Sequence, residues 1–177
     1  RMSGISTYTR KLLDIIDDLP VKLLDTRKTT PNIRMLEKWA LLIGGGTNHR
    51  IGLYDMIMLK DNHVDQAGGI KSAVGKAAQY LKTTGKQLKI EVETRNLKEV
   101  EEAIHTGQVD IIMLDNMSVT DMKKAVEMIY GMIITEASGN VNENTIREIA
   151  ECGVDFISVG ALTHSIKSLD LSLLTKI

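Results

Sequence analysis

The sequence predicts an α/β fold, an open or incomplete (β/α) barrel of the TIM type, and two features carry this prediction. Short apolar runs alternate with longer segments whose apolar residues recur at helical spacing, which is typical of βαβ units with a parallel sheet. Polar or ionisable residues follow nearly every apolar run, at the strand ends where α/β barrels build their sites. A closed barrel usually needs about 250 residues, and this chain has 177. On periodicity alone, a doubly wound sheet remains possible.

The apolar runs predict a set of short strands separated by helical segments. In chain order the strands are expected at 21–24, 56–59, 89–92, 111–114, 132–135 and 156–159. Helices are expected at 96–105, where Asn96 can cap the first turn, and at 121–129 and 144–152. We expect residues 1–20 to form a helix that leads into a barrel domain at 21–177.

Composition narrows the class of protein. Hydrophobic residues make up 43% and charged residues 25% of the chain, as in an ordinary globular domain. The net charge of −1 argues against a nucleic-acid partner, which usually requires a basic surplus. No apolar run approaches the roughly 20 residues of a membrane span, and a single cysteine, Cys152, fits a reducing compartment. We therefore expect a cytoplasmic protein with a small-molecule ligand, in which Cys152 is a buried thiol.

Cations recur at the predicted strand ends. They are Arg27, Lys28, His49, Arg50 and Lys60. Arginine holds carboxylates through paired, geometrically fixed hydrogen bonds, whereas lysine supplies a compact charge. This pattern indicates a polyanionic ligand.

Acidic and small residues follow the later strands. Glu93 and Asp115 could hold Mg²⁺ or accept hydrogen bonds from sugar hydroxyls. Small residues let backbone N–H groups approach a phosphate, and the last strand ends of a barrel are a frequent phosphate site. They occur here at Ser138, Gly139 and Gly160.

Several other residues have plain structural interpretations. Gly44, Gly45 and Gly46 favour a turn after a helix, while His63 and His164 fit a structural role and a site role equally well. We expect core packing for Trp39 and for five methionines: Met56, Met58, Met113, Met128 and Met132.

A set of motifs resembles the quinolinate phosphoribosyltransferase family. They are LDTRKTTPNIRMLEKWA (24–40), GGGTNHRIGLYDMIMLKDNH (44–63), EVET (91–94), MLDNMS (113–118), EASGNVN (136–142) and GVDFISVGALTHS (153–165). They occur in order along nearly the whole chain. The resemblance implies an open α/β barrel after a smaller N-terminal domain, which this chain would lack. It also implies a homodimer with shared active sites.

The resemblance also implies a reaction. Quinolinate would accept the phosphoribosyl group of phosphoribosyl pyrophosphate (PRPP) and lose CO₂, giving nicotinate mononucleotide for NAD biosynthesis, with Mg²⁺ as cofactor. Quinolinate would be held by Arg27, His49, Arg50 and Lys60. Lys28, Glu93 and Asp115 would be catalytic, the two acids also lying near Mg²⁺. Phosphate-binding turns would contain Ser138, Gly139 and Gly160.

Some positions depart from the family pattern, and other functions remain open. Asn140 stands where many relatives carry a second glycine, and Thr94-Arg95 replaces a pair that is often apolar and acidic. A further substrate-binding arginine of the family would lie upstream of Arg1. The alternatives are a phosphoribosyltransferase for nicotinate or another pyridine acid, a non-catalytic binder of phosphorylated ligands, and a barrel aldolase or isomerase. The many cations favour a dicarboxylate acceptor.

Overall fold

The computed structural model describes residues 1–175, which fold around one parallel sheet with helices on its outside. The strands follow the order β1-β6-β5-β4-β3-β2, and every neighbouring pair is parallel. Their bounds are Lys22–Leu24 (β1), Ile57–Leu59 (β2), Ile90–Thr94 (β3), Ile111–Asp115 (β4), Ile134–Ser138 (β5) and Phe156–Ser158 (β6). A parallel sheet with crossover helices confirms the predicted α/β class.

Each predicted strand is present, but some strands begin or end at residues other than the predicted ones. The fifth strand begins at Ile134, later than predicted, because Tyr130 and Gly131 turn the chain with positive φ angles of 48° and 71°. It then continues to Ser138. The third and fourth strands likewise extend to Thr94 and Asp115. Several predicted site residues therefore lie inside strands instead of in the loops that follow them.

The helices begin and end at identifiable signals. Asn96 caps α5 as predicted, since its side chain accepts a hydrogen bond from the Glu99 N–H, and Ser118 caps α6 through Asp121. The helices are Met2–Ile15 (α1), Arg34–Ile43 (α2), Asp61–Ala67 (α3), Ile70–Thr84 (α4), Leu97–Thr106 (α5), Val119–Ile129 (α6), Ile146–Ala150 (α7) and Ala161–His164 (α8). Within residues 1–175, none of these helices is long and apolar enough to cross a membrane.

The sheet stays open between its two edge strands. β1 and β2 do not pair, and the segment 47–50 lies beside the end of β1 instead. Its Thr47 N–H donates to Leu23 O at 2.8 Å, and Thr47 forms a single parallel bridge with Leu24. The architecture is therefore the open barrel that the sequence predicts.

The core lies between the sheet and the helices, and the packing predictions for three residues are wrong. Cys152 is buried as expected, but Met132 is 64% and Trp39 58% exposed, and Met128 also reaches the surface. Trp39 faces outward because α2 turns Glu37, Lys38, Ala40 and Leu41 toward the protein. Met132 lies in the turn before β5, and α6 buries Met122, Ala125 and Ile129 on the face away from Met128.

Candidate active site

A cavity of about 730 Å³ opens at the carboxyl ends of the strands, a volume suited to small ligands. All of the predicted site residues line it: Arg27, Lys28, His49, Arg50, Lys60, Glu93, Asp115, Ser138, Gly139 and Gly160. Lys28 follows β1 and Lys60 follows β2, at opposite edges of the sheet. The sheet therefore curves far enough to bring both edges to one cavity. The roles assigned to these residues by resemblance remain predictions.

The cationic side of the cavity has more positive charge than its own acids neutralise. Among residues 1–175, Arg27, Lys28 and Arg50 have no carboxylate within 4.0 Å, whereas Lys60 Nζ lies 2.9 Å from Glu93 Oε2. The Nε atom of Arg27 is buried without a hydrogen-bond partner, which is costly for a charged donor. Burial and the neighbouring Arg27 charge lower the pKa of Arg50. An anion bound here would relieve both penalties.

Arg50 spans the open edge of the sheet. Its Nη1 donates to Met56 O at 3.2 Å, and its Nη2 lies 3.3 Å from Met58 Sδ. These contacts fix the guanidinium beside β2, while its backbone belongs to the segment 47–50, which begins beside β1 at Thr47. Arg50 is thus held at the cavity wall from both sides.

Below Arg50, His49 contacts two buried carboxylates. Its Nε2 lies 3.2 Å from Glu136 Oε2 and 3.3 Å from Glu91 Oε2. Burial alone would lower the pKa of His49, but the Glu136 and Glu91 carboxylates outweigh burial and raise it to about 10. Burial raises the pKa of Glu91 in turn. The three groups therefore retain a shared proton at neutral pH.

In the described part of the chain, one group of side chains has the spacing of a metal site. It consists of His49, Glu91 and Glu136, whose possible ligand atoms lie within 4.8 Å of one another. A metal on Nε2 would require the imidazole proton on Nδ1. However, Nδ1 accepts the Arg50 backbone N–H at 2.7 Å, so the imidazole carries its proton on Nε2, where a metal would have to bind. The second proton of the cluster is then held on the carboxylate side, where burial raises the pKa of Glu91. The geometry fits a proton-holding cluster better than a metal site.

The turn after β5 is shaped for close approach of a ligand to the backbone. Gly139 has φ 96°, and a Cβ at this position would overlap the Asn116 side-chain amide. Asn140 has φ 52° and donates from Nδ2 to Asn116 Oδ1 at 3.1 Å. Asparagine tolerates this left-handed conformation. The departure at Asn140 therefore leaves the turn intact.

The remaining candidates separate into structural and cavity residues. His63 accepts the Lys60 backbone N–H at 3.0 Å and has a structural role at the start of α3, whereas His164 lines the cavity. Arg95 is bound to Asp65 and Glu99 away from the cavity. The turn predicted at 44–46 ends α2, where a Cβ on Gly44 would meet Ser6 and Thr9 of α1.

Sequence reasoning missed two buried acids, one of which, Glu136, lines the cavity. Glu91 and Glu136 stand two residues before Glu93 and Ser138, so strand alternation places each pair on one face. This spacing of two residues could have identified Glu91 and Glu136 from the sequence. Nothing in the periodicity indicated Asn116 as a partner of the turn at Gly139.

The chain is similar to known proteins along almost its whole length. Residues 5–174 match the family model described as quinolinate phosphoribosyl transferase, C-terminal domain. The chain is 50% identical to the chloroplastic nicotinate-nucleotide pyrophosphorylase [carboxylating] of Arabidopsis thaliana, with 98% of this chain and 53% of that protein covered. It is 46% identical to a probable nicotinate-nucleotide pyrophosphorylase [carboxylating] of Bacillus subtilis, covering 98% of this chain and 58% of that one.

One solved structure is similar to this chain in fold as well as in sequence. The nicotinate-nucleotide pyrophosphorylase of Francisella tularensis superposes with a TM-score of 0.90 at 48% identity, over 97% of this chain and 59% of that one. The chain thus spans a little over half the length of the relatives it matches.

Proposed function

This chain belongs to the quinolinate phosphoribosyltransferase family, and on that basis we propose that it transfers the phosphoribosyl group of PRPP to quinolinate with decarboxylation. The products would be nicotinate mononucleotide, pyrophosphate and CO₂, in the de novo route to NAD. One observation carries the proposal: Arg27, Lys28 and Arg50 face a single cavity, and no carboxylate among residues 1–175 forms an ion pair with them. This excess of cations suits a pyridine dicarboxylate better than a monocarboxylate.

The acceptor is proposed to bind on the side of the cavity formed by Arg27, His49, Arg50 and Lys60. Paired guanidinium contacts to the carboxylates would fix the plane of the pyridine ring and aim its nitrogen at C1 of PRPP. Holding two reactants in this geometry can lower the barrier by about 7–11 kcal/mol. The reaction then needs no nucleophilic side chain.

The donor is proposed to bind along the ends of β5 and β6, where Ser138 has a small side chain and Gly139 and Gly160 have none. Lys28 would neutralise the departing pyrophosphate, while Glu93 and Asp115 would support the ribose as C1 gains positive charge. Glu93 is held by Lys60, and Asp115 Oδ2 accepts from Asn116 Nδ2 at 2.8 Å. Both acids are therefore fixed at the cavity wall.

Mg²⁺ is proposed to enter with PRPP. Mg²⁺ usually keeps several waters and binds through one or two carboxylates plus substrate phosphates, which fits Glu93 and Asp115 on an open wall. When bound, it would supply charge neutralisation at the pyrophosphate.

Decarboxylation follows from the change at the ring nitrogen. Once quaternised, the nitrogen withdraws electrons and stabilises the carbanion that forms at the neighbouring carbon when CO₂ leaves. A proton from solvent then adds to this carbon and gives nicotinate mononucleotide. The residues on the acceptor side need only hold the pyridine ring in one orientation during this step. No organic cofactor is required by this scheme.

The cellular setting and assembly also remain proposals. We propose a cytoplasmic protein, which is supported by a single reduced thiol, Cys152. We also propose a homodimer or higher homo-oligomer with shared active sites, as in the family. Light scattering coupled to gel filtration would measure the mass, and a monomer at assay concentration would contradict the assembly.

The function is tested by supplying quinolinate, PRPP and Mg²⁺ to the protein and quantifying nicotinate mononucleotide and CO₂. Nicotinate, which lacks the second carboxylate, serves as a competing acceptor. We expect product from quinolinate in preference to nicotinate. Equal or better use of nicotinate would favour the alternative pyridine-acid transferase.

A further inference from the structure

A fully buried ion pair lies behind the cationic wall of the cavity. Lys38 Nζ donates to Asp25 Oδ1 at 2.7 Å and to Oδ2 at 2.8 Å, and the two side chains are 1% and 0% exposed. Lys38 belongs to α2, and Asp25 directly follows β1. Neither residue lines the cavity.

This pair binds both backbone groups of His49. Asp25 Oδ1 accepts the His49 N–H at 2.8 Å, and Lys38 Nζ donates to His49 O at 3.0 Å. The segment 47–50 lies at the open edge of the sheet, where only Thr47 is bridged to β1. The ion pair therefore takes the place of the neighbouring strand that would hold His49 in a closed barrel.

The same pair links two loops that carry cations. Asp25 begins the loop with Arg27 and Lys28, whereas His49 and Arg50 belong to the segment it holds. One turn before Lys38 on α2, Arg34 adds parallel contacts. It donates to Arg27 O at 3.3 Å and to Ile51 O at 3.0 Å. α2 thus fastens both loops from behind through side chains spaced four residues apart.

Stability alone is a poor reason for such a pair. Removing two charges from water costs about as much as their attraction returns, and replacing a buried pair by well-packed neutral residues is often neutral or stabilising. Burial raises the pKa of Asp25 even though Lys38 and the His49 N–H oppose this shift. What the pair provides is a fixed geometry for two loops.

We propose that Lys38 and Asp25 are positioning residues of the active site: a buried clamp that sets His49 and Arg50 opposite Arg27 and Lys28 for a dicarboxylate. The inference rests on the proposed function. A displacement of about 1 Å at a reacting centre can cost on the order of 10²-fold in rate. The clamp sets the distances between the cations that bind quinolinate. Its loss should therefore lower the affinity for quinolinate more than the stability of the fold.

The decisive variant is the double substitution Asp25→Asn with Lys38→Met. It removes both charges and keeps the side-chain volumes close. The amide introduced at position 25 can still accept the His49 N–H, but His49 O loses its donor. We expect a melting temperature within a few degrees of the wild type and a quinolinate Kd, measured by titration calorimetry, raised at least about tenfold. The matched control is Lys11→Met with Glu143→Gln, which removes an exposed ion pair far from the cavity.

The outcomes are distinguishable. A folded double variant with the wild-type Kd for quinolinate overturns the clamp. If the double variant does not fold, Lys38→Arg decides: it keeps the buried charge but cannot place its planar donors on the same three acceptors. A raised Kd in that variant supports the clamp, and an unchanged Kd overturns it. Absence of quinolinate binding by the wild type would instead reject the proposed function itself.

Discussion

His49 Nε2 lies 3.2 Å from Glu136 Oε2, so an imidazole on the cavity wall is joined to a carboxylate buried beneath it. Glu91 approaches the same nitrogen at 3.3 Å, and neither carboxylate has another hydrogen-bond partner in the described chain. Burial raises the pKa of Glu91, and the two carboxylates together raise the pKa of His49. The protonation state of this cluster therefore affects the charge at the cavity wall.

The first prediction concerns pH. The raised pKa of His49, about 10 against 6.5 unfolded, means that the folded state binds more protons than the unfolded state between these values. The resulting stabilisation is complete below about pH 6.5 and is lost as the pH rises through about 10. The free energy of unfolding should therefore fall by up to about 1.4 kcal/mol per pH unit across this window. Urea unfolding at pH 6, 8 and 10 measures it.

Glu136→Gln should flatten this dependence, because it removes one of the two charges that raise the pKa of His49. Glu143→Gln is the control, since that acid lies on the surface beside Lys11. If Glu136→Gln and the wild type lost stability equally between pH 6 and 10, the cluster would not hold the proton.

The second prediction concerns Arg50. Arg50→Ala removes a charge-assisted contact to the proposed acceptor and should lower kcat/KM for quinolinate by on the order of 10²–10⁴. Arg10→Ala is the control, because Arg10 is an exposed residue of α1 paired with Asp14. Steady-state kinetics with saturating PRPP measure both variants. Near-normal kinetics for Arg50→Ala would remove Arg50 from the site.

The strand ends explain why so much of the cavity could be predicted. In a parallel sheet the carboxyl ends of all strands meet at one edge, so residues far apart in sequence, such as Lys28 and Gly139, were expected to converge. To predict this convergence, it is enough to know which residues follow a strand. The short apolar runs in the sequence give the positions of the strands. The resemblance to a family then assigned roles that periodicity could not.

Periodicity failed where polar residues face inward. α2 buries Glu37 and Lys38 and exposes Trp39, the reverse of an ordinary amphipathic helix. A pattern of hydrophobicity cannot reveal this, because the buried charges are satisfied by Asp25, Thr30 and Arg1, which all lie outside the helix. The clamp behind His49 was invisible for the same reason.

The third prediction separates chemistry from binding at Lys28. Lys28 lies on the cavity wall near Gly160, where a Cβ would sit 3.4 Å from Lys28 Cδ. Its backbone is fixed by Thr163 Oγ1, which donates to Lys28 O at 2.8 Å. Lys28→Ala should mainly lower kcat, because its proposed role is to neutralise the leaving pyrophosphate. Steady-state kinetics that showed only a raised KM for quinolinate would contradict this role.

The fourth prediction tests the turn after β5, with a control glycine that also has a positive φ. Gly139→Ala places a Cβ against the Asn116 amide at a positive φ of 96°, whereas Gly85→Ala has a positive φ of 67° and no atom within 4 Å. Both variants should lose roughly 1 kcal/mol of stability for the left-handed conformation. Only Gly139→Ala should also displace Asn116, disturb the turn and raise the KM for PRPP. Thermal unfolding and PRPP kinetics on both variants separate the two effects. Because only the Cβ of Gly139→Ala meets the Asn116 side chain, a raised KM for PRPP in that variant alone reports this contact. Equal KM values would remove this turn from the donor site.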